Sequence, residues 1–108
     1  MNSLIGIFKM IFYVEYQCDR GKQSEAQTFF ANMTDEQIAG EIPNGLRIIC
    51  RYHDLPNGSG FAVVETDSQD AITAWALAWS GLCSFPVIKP VVDDDTGRKM
   101  IREMLEKQ

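Results

Sequence analysis

The sequence predicts an α+β protein of the ferredoxin-like βαββαβ type, a four-stranded antiparallel sheet with helices on one face and an extra C-terminal helix. Two observations carry this. Period-two and helical patterns follow one another in the order strand, helix, strand, strand, helix, strand. The prolines of the last strand-like run, Pro86 and Pro90, mark it as a sheet edge, which is where this topology puts its fourth strand. A chain of 108 residues, 45% hydrophobic, suits a single core. The expected division is an N-terminal extension over 1–9 and one domain over 10–108.

Residues 10–18 (MIFYVEYQC) set Phe12, Val14 and Tyr16 on one face and Tyr13, Glu15 and Gln17 on the other, as in a strand. Asp19-Arg20-Gly21-Lys22 breaks the run. Ala26, Phe29, Phe30 and Met33 then recur at i, i+3, i+4 and i+7, the spacing of one buried helical stripe. Thr34 and Gln37 stand in the positions of a capping box, so a short second helix starts there. Gly40 and Pro43-Asn44-Gly45 end it. Residues 46–53 (LRIICRYH) alternate again, and Pro56-Asn57-Gly58-Ser59-Gly60 turns the chain into a return strand over 61–65.

Thr66, Asp67 and Ser68 offer N-caps ahead of a helix over 69–80, which Gly81 stops. Trp75 and Trp79 share one stripe of it with Ile72 and Ala76. Its other side, with Ala71, Ala74, Leu77 and Ala78, is apolar as well and predicts a second cover, for which the last helix is the candidate. The last strand spans 83–92. Asp93, Asp94 and Asp95 then lead into a C-terminal helix over 95–107 with Met100, Ile101, Met104 and Leu105 as its apolar stripe.

Right-handed crossovers place both long helices on one sheet face, with strand order four, one, three, two. Strict alternation then gives the open face Ile11, Tyr13, Glu15, Ile49, Arg51, His53, Phe61, Val63 and Glu65. That face is too mixed for a plain core and too apolar for a plain solvated surface, which predicts a homodimer packed sheet to sheet or a cavity enclosed between the sheets. A one-residue bulge would exchange the faces.

A net charge of -5 argues against nucleic-acid binding, which is built from clustered Lys and Arg. Membrane insertion and a signal peptide are disfavoured too, because Lys9 interrupts the N-terminal apolar run and no basic segment precedes it. Three widely spaced cysteines, Cys18, Cys50 and Cys83, leave one unpaired in any disulfide scheme and fit a reducing cytoplasm. Cys50 is expected on the helix-facing side.

His53 is the only histidine, so a multi-histidine metal site within one chain is excluded. The aspartate run lacks the spacing of a hard-cation loop and reads as helix capping. No GxSxG, Walker or GxGxxG pattern occurs, and neither a metal nor a cofactor is assigned. The candidate ligand-binding set is Tyr13, Glu15, Arg51, His53 and Glu65, with Trp75 and Trp79 as candidates for an aromatic pocket. The structural reading of the first set is interstrand ion pairing or a dimer interface, and that of the tryptophans is core packing; both are the commoner fates of such residues.

The runs Met10-Ile11-Phe12-Tyr13-Val14, Arg51-Tyr52-His53-Asp54, Gly60-Phe61-Ala62-Val63-Val64-Glu65-Thr66-Asp67, Ala74-Trp75-Ala76-Leu77-Ala78-Trp79 and Pro90-Val91-Val92-Asp93-Asp94 resemble the domain of unknown function 3303 family of bacteria and viruses. The resemblance covers most of residues 10–95. It implies a ferredoxin-like fold of the dimeric α+β barrel type and brings no catalytic residue with it. Three functions follow. The first is a small homodimeric module that binds a small molecule or has a regulatory role. The second is a small oxygenase-like enzyme, cofactor-independent or haem-dependent, that uses His53 and Arg51 in a sheet-to-sheet cavity. The third is a protein-interaction factor with an acidic surface.

Overall fold

The computed structural model describes residues 10–108 and runs β1 (Met10–Cys18), α1 (Gln23–Ala31), α2 (Asp35–Glu41), β2 (Leu46–Asp54), β3 (Ser59–Thr66), α3 (Gln69–Ala78), β4 (Cys83–Val91) and α4 (Asp94–Glu106). The extension expected over 1–9 lies outside the described residues. The four strands form one antiparallel sheet in the order β2-β3-β1-β4. This is the α+β, ferredoxin-like arrangement that the element order predicts, with β4 at an edge. Pro86 falls where the β1–β4 register shifts, between the pairs Glu15↔Val87 and Gln17↔Ser84, so its missing N–H interrupts a ladder that is already irregular.

Local chemistry explains the boundaries. Thr34 and Gln37 close a reciprocal capping box on α2, Ser68 caps α3, and Asp93 accepts from the Thr96 amide at 2.8 Å to cap α4. The aspartate run is thus a helix cap in the structure. Between β2 and β3, Gly58 takes φ +64°, a left-handed conformation that glycine enters without strain. The main core lies between α3 and the sheet and holds Val14, Leu46, Ala62, Val64, Ala71, Ile72 and Trp75, with Val64 fully buried.

Two expectations are corrected. First, α4 does not cover α3. None of its residues is buried, Met100, Ile101, Met104 and Leu105 are each more than half exposed, and Leu77 on the outer side of α3 is 65% exposed. A stripe of four apolar residues on a helix otherwise polar fits a peripheral position as well as a covering one, and periodicity does not distinguish them.

Second, β2 carries a bulge that re-aims its second half. Ile48 pairs with Val64, yet Cys50 pairs with Val63, so Ile49 is an extra residue without a partner on β3. Beyond it the faces are exchanged. Cys50 and Tyr52 join the open face opposite Val63 and Phe61, while Arg51 and His53 turn toward the helices opposite Ala62 and Gly60. Arg51 and His53 are therefore not on the open face, and Cys50 is not on the helix-facing side.

Candidate functional site

The bulge delivers Arg51 and His53 into a cavity of about 610 Å³ between the helices and the sheet. Its floor comes from β1 and β3 through Val14, Tyr16, Cys18 and Ala62, and its walls from Phe30 of α1, Trp75 of α3, Trp79 just beyond it, and Phe85 of β4. Helix α1 brings Phe30 there because Ala26, one turn earlier, is buried against Cys18 and Cys83. Gln27 of the same helix donates to the Leu55 carbonyl at 2.9 Å and Gln23 at 3.2 Å. These bonds tie α1 to the β2–β3 loop at the rim of the cavity.

Two polar groups organise this apolar space. The first is centred on Glu41, the last residue of α2, whose side chain is only 4% exposed. Its Oε2 accepts from Trp75 Nε1 at 2.8 Å, Trp79 Nε1 at 2.9 Å and Arg51 Nη1 at 2.9 Å. Burial alone would raise the pKa of this carboxyl. The hydrogen bonds from Arg51, Trp75 and Trp79 outweigh burial and hold it below 4.5. One carboxylate thus fixes both indole rings and the guanidinium. It also anchors α2, whose other residues are not buried.

The second is a pair: the Tyr16 hydroxyl lies 2.6 Å from His53 Nδ1. Burial, with smaller contributions from the neighbouring thiols, pushes Tyr16 up to about 12, so it keeps its proton. Burial also lowers the His53 pKa, and the positive charge of Arg51 lowers it further, so the imidazole is neutral at pH 7. Gly60 makes this pair possible. It stands in register between Tyr16 and His53, and a Cβ there would lie 2.5 Å from Tyr16 Cε2 and 2.5 Å from the Tyr52 carbonyl oxygen. Phe30 packs over both polar groups, its ring centroid 5.2 Å from the His53 ring and 5.2 Å from the Arg51 guanidinium carbon.

Of the residues proposed from the sequence, the structure brings Arg51, His53, Trp75 and Trp79 into this one cavity. It puts Tyr13, Glu15 and Glu65 on the other side of the sheet. There Tyr13 stacks on Phe61 with centroids 5.6 Å apart and donates to Glu15 at 2.8 Å, while Glu65 meets Arg47 at 2.5 Å. The tryptophans serve both readings at once: Trp75 is core, 3% exposed, and its indole also lines the cavity. The sequence marks Tyr16, Phe30 and Gly60 only as strand, stripe and turn residues, and Glu41 not at all. Among the described residues no group of three or more His, Cys, Asp and Glu stands close enough to hold a metal ion. No helix among them is long and apolar enough to cross a membrane.

The profile of the family described as "Domain of unknown function (DUF3303)" matches residues 10–105. No match is found among curated proteins or among solved structures.

Proposed function

The chain belongs to the DUF3303 family, and from that premise we propose that it is a small-molecule-binding module whose site is the cavity between helices and sheet. The observation that carries the reading is the union, in one space of about 610 Å³, of the aromatic walls Phe30, Trp75, Trp79 and Phe85 with a few convergent polar groups. A concave, mainly apolar pocket with few polar groups is the usual form of a small-molecule site, and its size falls in the ordinary range of roughly 300–1,000 Å³. Arg51 is neutralised by Glu41 and the tryptophan N–H groups are already bonded, so the walls are set before any ligand arrives.

A thermal-shift screen with small aromatic compounds tests this. Saturating ligand should raise Tm through linkage, with the compound recovered unchanged. No compound raising Tm at millimolar concentration would overturn the reading. Conversion of a compound, lost in His53→Gln, would instead favour the enzyme reading, in which His53 acts as a base beside Tyr16.

The proposal includes a homodimer formed through the open sheet face. Tyr13 and Tyr52 flank Phe61 there, with centroids 5.6 and 5.8 Å away, and Ile49 at the bulge is 46% exposed. Arg47 with Glu65, and Lys89 over Tyr13, make a charged border to this aromatic centre, the composition of an interface. Three free thiols and a net charge of -5 support a cytoplasmic protein that does not bind nucleic acid.

A further inference from the structure

We propose that the cavity selects an uncharged aromatic molecule bearing one hydrogen-bond-accepting oxygen, an aryl ketone or its chemical equivalent, with that oxygen held by the Tyr16–His53 pair. This rests on the reading of the cavity as a ligand site and narrows it to a chemical class.

Charge decides the first part. Among the described residues, Arg51 is the only cationic side chain lining the cavity when His53 is neutral, and Glu41 already lies 2.9 Å from it. A ligand carboxylate would set a second negative charge beside Glu41 in apolar surroundings, with one guanidinium to serve both. The other lining side chains near the aromatic rings, Val14, Cys18, Ala26, Ala62 and Cys83, bring no compensating charge.

Proton counting decides the second part. A neutral imidazole and a protonated phenol carry two acidic hydrogens between them, and their mutual contact at 2.6 Å uses one. If the Tyr16 hydroxyl donates to Nδ1, the imidazole keeps an Nε2–H. If Nδ1–H donates to the Tyr16 oxygen, the hydroxyl hydrogen is left over. In either tautomer one donor remains for the ligand. Ring shape decides the third part: Phe30 lies tilted at 57° to Trp79, and Trp75 at 45° to Phe85, which presents ring faces and edges suited to a flat aromatic guest.

An isosteric series tests the class by calorimetric titration of the intact protein with 2-acetylnaphthalene, 2-isopropenylnaphthalene and 2-naphthoate. The ketone should bind about three- to tenfold tighter than the hydrocarbon, the worth of one neutral hydrogen bond at a pair partly open to solvent. The carboxylate should bind at least about tenfold more weakly than the ketone. In the double variant Tyr16→Phe/His53→Phe, the ketone should fall to the affinity of the hydrocarbon. Equal affinity of ketone and hydrocarbon, or tightest binding by naphthoate, overturns the class while leaving a ligand site in place. Absence of binding by all three overturns both the class and the reading beneath it. The ligand series on the wild-type chain decides the matter even if the double variant does not fold.

Discussion

Strand β2 offers two arginine–glutamate pairs of the same chemistry in opposite settings. Arg47 meets Glu65 on the open face with side-chain exposures of 66% and 15%, whereas Arg51 meets Glu41 under the helices with exposures of 16% and 4%. A pair whose guanidinium stands in solvent gains little, because water screens that charge and two long side chains lose freedom. A buried pair lives or falls by its remaining hydrogen bonds, and Glu41 has them from Trp75 and Trp79. Burial and hydrogen-bond satisfaction, not the ion pair itself, make one site an organising centre and the other a surface feature. The single extra residue Ile49 separates the two settings.

The largest expected effect breaks the buried pair. Glu41→Ala removes the acceptor of both indoles and leaves Arg51 charged in an apolar pocket, so urea denaturation should show a loss of about 3–5 kcal/mol. Arg47→Ala should lose less than about 1 kcal/mol. Similar losses in the two variants would erase the distinction. Next, Gly60→Ala should cost about 1–3 kcal/mol by overpacking against Tyr16 and the Tyr52 carbonyl. It should also weaken ligand binding by parting Tyr16 from His53.

Acid acts on both polar groups of the cavity. The pKa of His53 is lowered from 6.5 in the fold, so its contribution to stability is present above pH 6.5 and lost as pH falls through the lowered value. The pKa of Glu41, lowered from 4.5, adds a second loss in the same direction at more acidic pH. Tm followed from pH 7.5 downward should decline in these two stages, and His53→Gln should remove the first. A Tm that rises as pH falls from 7 to 5.5 would contradict the sign. The smallest effect on the cavity is expected from the other face. Phe61→Asp should shift sedimentation from dimer to monomer while aromatic ligands still bind.

The fold was legible because its signals are local. Period-two runs, the Thr34–Gln37 box and two prolines in the last strand suffice for element order and for an edge strand. The cavity was half legible. Arg51, His53, Trp75 and Trp79 stood out by type, but their common location depended on a bulge that alternation does not reveal. The run Ile48-Ile49-Cys50, three apolar residues where alternation calls for a polar one, is the signal that marks it. Glu41 left no such trace. It closes a seven-residue helix with no other buried position, and its role arises from partners 10, 34 and 38 residues away along the chain. Long-range polar contacts of this kind have no periodicity to read.

The chain's two tryptophans make the central claim directly measurable, since each indole N–H gives its own resonance in a nitrogen-15 correlation spectrum and both donate to the same carboxylate. Titration with 2-acetylnaphthalene should move both indole signals together and saturably, with the amides of Tyr13, Phe61 and Val63 on the open face unmoved. Shifts confined to those open-face amides, with both indoles still, would contradict the account.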